Sequence, residues 1–337
     1  AALTVVTALL KSVIGATLLL MGWGVVGLGV TSMVVNGIAL AMLAFAARRL
    51  LHARDAAEPP TQRSQPSNRA VLRESFPLML NHLLATLFFK VDVPMLQAIK
   101  GAGVVGVYSS GYKFIDAFNI IPAYFTQSLF PAMSRMAAQR DQSLARSYVL
   151  AVKLLVMTAL PLAVCTAFLA PVLIGVLGGA EFLPDGAIAL AVMGWSMPIG
   201  WINSVTNYAL IAANQQRALT RAFLIGLAFN VITNALLIPL FSYVAAAVTT
   251  IFSEIVEGAA FYYYVRRFIT PVNWVEVLAR PFLATGLMAG VALLFHAVGW
   301  TLIGVVVSLG AYAAALWALQ AFNTEERAML RPLLRRA

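Results

Sequence analysis

Ten apolar stretches, each long enough to cross a lipid bilayer, dominate this sequence of 337 residues. A helix needs about 20 apolar residues to span a hydrocarbon core of about 30 Å. Strands of a membrane barrel would instead alternate in polarity over about 10 residues. The pattern predicts an all-α fold, a polytopic membrane helix bundle with ten transmembrane helices. The predicted helices cover residues 3–22, 26–46, 71–97, 104–131, 149–177, 187–212, 219–240, 243–265, 280–298 and 301–322.

The composition excludes a soluble domain, because 61% of the residues are hydrophobic and only 11% are charged. A net charge of +10 could suit nucleic acid, but the basic residues lie between the apolar stretches rather than on one patch. We therefore expect no nucleic-acid partner. Nearly all of the 23 Lys and Arg residues fall in alternate loops, which places residues 48–75 and the C-terminal tail in the cytoplasm. The expected location is the inner membrane of a bacterial or archaeal cell.

One polar linker divides the chain. Residues 51–70 contain Pro59, Pro60 and Pro66, and we expect them to form a cytoplasmic connection. A weak repeat relates residues 4–49 to residues 222–267 by a shift of 218 positions, with turns and Arg pairs in register. Because the shift spans six predicted helices, the two copies share an orientation, as in transporters built from two similar bundles.

Four ionisable residues lie at bilayer depth in one predicted helical hairpin, Lys90 and Asp92 in its first arm and Lys113 and Asp116 in its second. Each would cost about 2.5–3.5 kcal/mol facing lipid, so we expect them to face a wet cavity. In one interpretation Lys90 and Lys113 bind an anionic headgroup. In the other, the four residues form structural ion pairs that hold helices together.

Further polar residues lie in the later predicted helices. Glu254 and Glu257 are one turn apart on one helical face, and together with Asp92 and Asp116 they are candidate proton or cation sites for coupling. Asn203 and Asn207, and likewise Asn230 and Asn234, are spaced i,i+4, and their faces suit sugar binding. The competing interpretation is hydrogen bonding between helices, worth about 0.6 kcal/mol on average.

Nothing in the sequence suggests catalysis. Cys165 is the only cysteine, and His52, His82 and His296 are too scattered for a metal site. Two GxGxxG matches, beginning at Gly22 and at Gly101, lie in predicted outer turns rather than between a strand and a helix. We expect no enzyme, no cofactor and no metal.

Several motifs resemble a known family. They are Lys90-Val-Asp92, Val107-Tyr-Ser-Ser-Gly-Tyr-Lys113, Ile121-Pro122, Leu129-Phe-Pro-Ala-Met-Ser134, Asn230-Val-Ile-Thr-Asn234-Ala-Leu-Leu-Ile-Pro239 and Ala245-Ala-Ala-Val-Thr-Thr-Ile-Phe-Ser-Glu254. They are similar to motifs of the oligosaccharide flippases of the polysaccharide transporter family, which includes the Wzx-type O-antigen flippases. That family belongs to the MOP superfamily, with MATE exporters and lipid II flippases. One departure is that Ser242 and Ala245 replace glycines usual in a turn.

The resemblance implies a two-lobe flippase fold, here lacking its first four helices. Residues 1–50 would be the last two helices of the N-terminal lobe, 51–70 the linker, 71–267 the C-terminal six-helix lobe, and 268–337 two extra helices and the tail. The implied activity is alternating-access translocation of undecaprenyl-pyrophosphate-linked oligosaccharide for surface polysaccharides such as the O-antigen of lipopolysaccharide. An ion gradient or membrane potential would drive it. The implied partners are the lipid-linked oligosaccharide, the bilayer and polysaccharide polymerase machinery. A MATE-like multidrug exporter, a lipid II flippase and a non-transporting scaffold remain alternatives.

Overall fold

The computed structural model describes residues 2–57, 68–139, 143–323 and 326. Regular structure in these residues is helical throughout, which confirms the all-α prediction. A π-helical turn, Ile174–Gly178, and two short 3-10 turns, Ala180–Phe182 and Gly194–Ser196, lie between the α-helices. The α-helices are α1 (Ala2–Leu20), α2 (Gly24–Ala57), α3 (Asn68–Lys90), α4 (Asp92–Lys100), α5 (Ala102–Phe118), α6 (Ile120–Ala138), α7 (Ser143–Leu173), α8 (Asp185–Met193), α9 (Met197–Ala212), α10 (Gln216–Phe268), α11 (Trp274–Ala297) and α12 (Thr301–Ala318).

Six helical segments of the described chain are long and apolar enough to cross a membrane, or seven if α3 and α4 form one bent span. One of the six, α10, is a hairpin rather than a single helix, because Ser242 breaks it with φ 57° and ψ −138°. Its limbs, residues 216–241 and 243–268, fold back on each other. The rings of Phe223 and Phe261 meet at 5.5 Å between centroids. These limbs correspond to two of the ten predicted helices.

The chain divides into two compact units, Ala1–Val71 and Leu72–Ala337. In the first unit, α1 and α2 form a hairpin whose turn contains Gly24 with φ 52°. The shift of 218 places Gly24 on Ser242, which has nearly the same left-handed φ of 57°. The two aligned positions therefore share a positive φ, which agrees with the sequence repeat. A serine occupies the turn of α10 although glycine adopts this conformation at a lower cost.

The second unit is organised around α9. Trp201 of α9 is fully buried, and Thr206 hydrogen-bonds Tyr148 of α7 at 2.9 Å. Helices α5 and α8 approach closely at Gly111, where an added Cβ would lie 3.0 Å from the backbone nitrogen of Leu190. Small residues permit such close helix contacts in membranes, where packing rather than hydrophobic burial drives association.

Two helix breaks occur in the second unit, and each precedes a proline by three residues. The first is at Val91, where α3 and α4 bend by 41° ahead of Pro94. The second is at Asn119, between α5 and α6, ahead of Pro122. Proline has no N–H for the carbonyl four residues earlier, so each break leaves one carbonyl without its usual helical partner. Broken helices at membrane depth are tolerated where they line a cavity or are buried in protein.

The C-terminal segment returns to α7. Tyr312 of α12 donates to the carbonyl of Met157 at 2.8 Å. Beyond α12, Glu326 forms an ion pair with Lys153 at 2.7 Å, and the ammonium of Lys153 lies 5.8 Å from the ring centroid of Phe322. This contact fixes part of the tail against the bundle.

Candidate functional site

A cavity of about 490 Å³ lies inside the second unit, at the two helix breaks. Its walls come from α3, α5, α6, α9 and the second limb of α10. The volume falls within the range of about 300–1,000 Å³ typical of small-molecule sites. Most of the lining is apolar, and a few polar side chains enter it, as expected for a binding site.

Aromatic side chains from three helices form much of the cavity wall. They are Phe89 of α3, Tyr112 of α5, and Trp201 and Tyr208 of α9. The Tyr112 hydroxyl donates to the carbonyl of Phe89, and the Trp201 indole donates to Oδ1 of Asn119 at 2.9 Å. Tyr208 packs edge-on against Phe130 at 5.5 Å. These contacts hold the rings in place before any ligand arrives.

An ion pair stands at the cavity wall. Lys90 donates to both carboxylate oxygens of Asp116, at 2.8 and 3.1 Å, and its ammonium lies 4.3 Å from the ring centroid of Tyr112. The two charged side chains remain 49% and 52% exposed. Such a pair contributes little to stability, because solvent competes for both charges. It is therefore free to exchange partners.

Lys113 adds a second cation beside this pair. Lys90, Lys113, Asp116 and Tyr112 line an adjoining hollow of about 520 Å³. Of the residues that the structure describes, none forms an ion pair with Lys113. Counting Lys90, Lys113 and Asp116, the hollow carries one net positive charge. The structure thus brings the two predicted lysines to one surface, where Asp116 neutralises one of them.

Asp92 lies apart from this surface. Its side chain is buried, accepts a hydrogen bond from the Tyr108 hydroxyl and accepts another from the backbone N–H of Val93 at 3.0 Å. It lines neither the cavity nor the adjoining hollow. Asp92 joins α4 to α5 instead.

Glu254 is the buried acid that reaches the cavity. It belongs to the second limb of α10, and its carboxylate accepts from Nδ2 of Asn203 at 2.7 Å. Gly200 leaves room for it, because an added Cβ there would lie 3.0 Å from Oε1 of Glu254. Asn203 itself is buried between α9 and α10, so this member of the predicted amide pair positions Glu254.

The remaining predicted polar residues, Glu257 and three asparagines, lie inside the bundle. Oε1 of Glu257 has no hydrogen-bond partner among the described residues. The side chain packs closely on the first limb of α10, because a Cβ added to Gly226 would lie 3.1 Å from the Cβ of Glu257. Nδ2 of Asn234 donates to Oδ1 of Asn230 at 2.8 Å within the first limb of α10, and both side chains are buried. Asn207 has a buried Oδ1 with no described partner. None of these four lines the cavity.

Sequence reasoning missed the aromatic wall. Trp201, Ser204 and Tyr208 follow an i, i+3, i+7 pattern, which places them on one face of α9. That pattern could have identified the face, since all three residues line the cavity. Asn119, which holds Trp201, was also detectable from the helix-breaking Pro122 three residues later. In the searched part of the chain, no group of three or more His, Cys, Asp or Glu could hold a metal ion.

Comparisons with known proteins point to one superfamily. Residues 1–137 match the family model described as polysaccharide biosynthesis protein, and residues 77–236 match the MatE model. Among solved structures, the chain is similar to the lipid II flippase MurJ in an inward closed conformation, with a TM-score of 0.67 and 14% identity. The similarity covers 97% of this chain and 67% of that one. No curated protein matches in sequence.

These findings confirm the resemblance to the MOP superfamily of flippases and transporters. The chain is a multi-pass membrane protein, and its fold is the MurJ-like fold of that superfamily. The polysaccharide biosynthesis model agrees with the Wzx-type motifs found in the sequence.

Proposed function

We propose that this protein is a flippase that moves undecaprenyl-pyrophosphate-linked oligosaccharide across the cytoplasmic membrane for surface polysaccharide synthesis. The observation that carries the proposal is the hollow bordered by Lys90 and Lys113, next to a cavity whose largely aromatic and aliphatic wall is interrupted by a few polar side chains. A pyrophosphate needs cations, and a glycan too polar to cross hydrocarbon unaided needs a sheltered polar path. The two features adjoin, as they would along one lipid-linked sugar.

In this proposal Lys113 first attracts the anionic headgroup, because it is the lysine of the hollow without a described counter-ion. Lys90 then exchanges Asp116 for a phosphate oxygen, which is feasible because the pair is half exposed. The polyprenyl chain stays in lipid. Transport proceeds by alternating access, with residues 1–50 in one lobe and residues 71–267 in the other, and residues 48–75 and the tail face the cytoplasm.

An ion gradient or the membrane potential supplies the driving force, with Asp92, Asp116, Glu254 and Glu257 as the coupling groups. Glu254 and Glu257 are both buried and lie one turn apart on the same limb of α10, which supports a role as proton or cation carriers, because neighbouring buried carboxylates are costly unless a proton or cation neutralises them. Asn203, Asn207, Asn230 and Asn234 stay predicted as polar contacts for the glycan in other states of the cycle. Product would pass to polysaccharide polymerase machinery at the outer leaflet.

Two alternatives have specific support. The MatE match, together with Asp116 and Glu254 in an aromatic cavity, is compatible with an exporter of cationic drugs. The similarity to MurJ is compatible with a lipid II flippase. The exporter gives no direct role to Lys113. Lipid II also carries a pyrophosphate with a glycan attached, so the lysines suit both flippases, and the match of residues 1–137 to the polysaccharide biosynthesis model is what favours the oligosaccharide.

The test is a deletion strain analysed for lipid-linked oligosaccharide in each leaflet of the membrane. We expect accumulation in the cytoplasmic leaflet, loss of surface polysaccharide and normal peptidoglycan. Unchanged lipid-linked oligosaccharide with raised sensitivity to cationic drugs would favour the exporter. Arrested peptidoglycan synthesis would favour the lipid II flippase.

A further inference from the structure

The ion pair of Lys90 and Asp116 lies between two spaces that differ in charge. The hollow of about 520 Å³ is called the space in front of the pair, and the cavity of about 490 Å³ the space behind it. Thr86, Lys90, Tyr112 and Asp116 line both spaces, so the pair forms their common wall. The hollow in front also contains Lys113 and carries net positive charge. The cavity behind contains two carboxyl groups, Asp116 and Glu254, and its one lysine is already paired. An anion is therefore attracted in front of the pair and not behind it.

We propose that the cavity is a subsite for one uncharged sugar unit, the unit joined to the phosphate, whose apolar face lies against Tyr112 and Tyr208. This inference rests on the proposed function and adds which part of the substrate binds where. A pyranose ring presents C–H groups with partial positive charge, and the face of an aromatic ring is negative. Tyr and Trp combine an apolar body with a polar group, which suits a ligand with both characters.

The polar groups of the cavity can satisfy the sugar hydroxyls. Ser204 lies between the two aromatic residues of α9 on the same face, and Thr250 and Glu254 line the wall from α10. When Lys90 moves to a phosphate oxygen, Asp116 loses its partner and becomes a free acceptor for hydroxyl groups. A carboxylate on the sugar would face Asp116 and Glu254 while Lys90 is engaged with the phosphate, and these two carboxyl groups outnumber His82, the remaining basic side chain of the cavity lining, so the subsite disfavours uronic acids.

The cavity volume limits how much of the glycan enters. At about 490 Å³ it matches a small-molecule site and not a long oligosaccharide. The rings that form the wall are fixed by contacts to Phe89, Asn119 and Phe130. A preorganised wall lowers the ordering cost of binding, so a single sugar can contribute measurable affinity.

The experiment measures dissociation constants by calorimetry on the intact protein in lipid nanodiscs. The probes are inorganic phosphate, galactose 1-phosphate and galacturonic acid 1-phosphate. For the wild type we expect galactose 1-phosphate to bind about tenfold more tightly than inorganic phosphate, the effect of one good aromatic contact. Galacturonic acid 1-phosphate should lose that advantage.

Substitutions of single tyrosines test whether the ring of Tyr208 is the cause of the tighter binding of galactose 1-phosphate. Tyr208→Leu should remove the advantage of galactose 1-phosphate over phosphate, whereas Tyr208→Phe should keep it because the ring remains. Tyr124→Leu is the matched control, since Tyr124 is 67% exposed on α6 and lies outside the cavity lining. Lys113→Gln should weaken all three probes alike.

Two kinds of failure are distinguishable. If phosphate binds and depends on Lys113, but the sugar adds nothing or Tyr208→Leu behaves like Tyr124→Leu, the subsite is wrong and the flippase proposal stands. If galacturonic acid 1-phosphate binds as tightly as galactose 1-phosphate, the charge argument is wrong. If phosphate does not bind at all, both the binding of an anionic headgroup in the hollow and the sugar subsite in the cavity are wrong.

Discussion

Two lysine–carboxylate pairs in this protein have nearly the same geometry and opposite surroundings. Lys90 and Asp116 meet at 2.8 Å with side chains 49% and 52% exposed. Lys153 and Glu326 meet at 2.7 Å with side chains 4% and 13% exposed. Distance alone would rank the two contacts as equal. Burial separates them, because a desolvated pair that loses one partner leaves a costly charge, whereas a solvated pair loses little.

The comparison assigns the two pairs different roles. Lys153 and Glu326 tie the tail to α7, and Glu326 is further held by reciprocal hydrogen bonds with Asn323 at 2.8 Å. Lys90 and Asp116 border two empty spaces and can be redirected by an arriving ligand. Under the proposed function we therefore expect the exposed pair, and not the buried one, to contact the substrate.

The largest expected effect is the loss of transport. Lys90→Ala and Lys113→Ala together should abolish lipid-linked oligosaccharide translocation while the protein still inserts and accumulates normally. The reason is that no lysine then remains in the hollow to bind pyrophosphate. Surface polysaccharide in a complemented deletion strain is the readout. Lys100→Gln is the control, since Lys100 bonds the carbonyl of Pro239 away from the cavity. Full activity in the double variant would contradict an anion-binding role for Lys90 and Lys113.

The next effect concerns the buried pair. Lys153→Met should lower the unfolding free energy by about 3–5 kcal/mol, because Glu326 is left without its partner. Thermal unfolding in detergent measures it. Lys153→Met combined with Glu326→Gln should recover most of the loss, since no isolated charge remains. Equal losses in the single and the double variant would mean that packing, and not the charge, is what matters there.

A smaller effect sharpens the role of the exposed pair. Asp116→Asn should change the unfolding free energy by less than about 1 kcal/mol. The same change should tighten binding of inorganic pyrophosphate roughly fivefold, because Lys90 no longer has a competing carboxylate. Calorimetry in nanodiscs gives the constant. Weaker pyrophosphate binding in this variant would show that Asp116 holds Lys90 in position for the anion rather than competing with it.

The smallest effect is expected for the amides. Asn234→Ala removes one buried hydrogen bond to Asn230, so the unfolding free energy should fall by about 0.6 kcal/mol. Transport in cells should remain near the wild-type level if the amide only supports α10. A severe loss of transport with unchanged stability would instead indicate that Asn230 and Asn234 contact the substrate.

The sequence predicts the helices well, but it predicts poorly which neighbouring helices their side chains contact. The length of the apolar stretches predicts the spans, and the turn at Ser242 lies between the predicted helices 219–240 and 243–265. Helical spacing also correctly groups residues on one face, as with Asn230 and Asn234. It does not say which neighbour that face meets, because a helix that is apolar all round has no polar stripe to orient it.

The candidate site shows the same limit. The four ionisable residues of the hairpin were predicted either to line a wet cavity or to form structural ion pairs, and the structure pairs Lys90 with Asp116 beside a cavity. Asp92, two residues from Lys90, points instead to Tyr108, because side chains two residues apart on a helix face different sides. The aromatic wall was missed because Trp201 and Tyr208 look like ordinary apolar content in a span. The packing of α9 against α6 and α10 is what places these rings in the cavity wall, and the sequence does not show that packing.

The most direct test of the central claim is translocation in a purified system. The intact protein is reconstituted in proteoliposomes loaded with undecaprenyl-pyrophosphate-linked oligosaccharide, and a membrane-impermeant glycosidase reports how much glycan is reachable from outside. Under an imposed membrane potential or ion gradient, the wild type should make the protected fraction accessible, and the double variant Lys90→Ala/Lys113→Ala should leave it protected. Equal accessibility with wild type, double variant and protein-free liposomes would contradict the account.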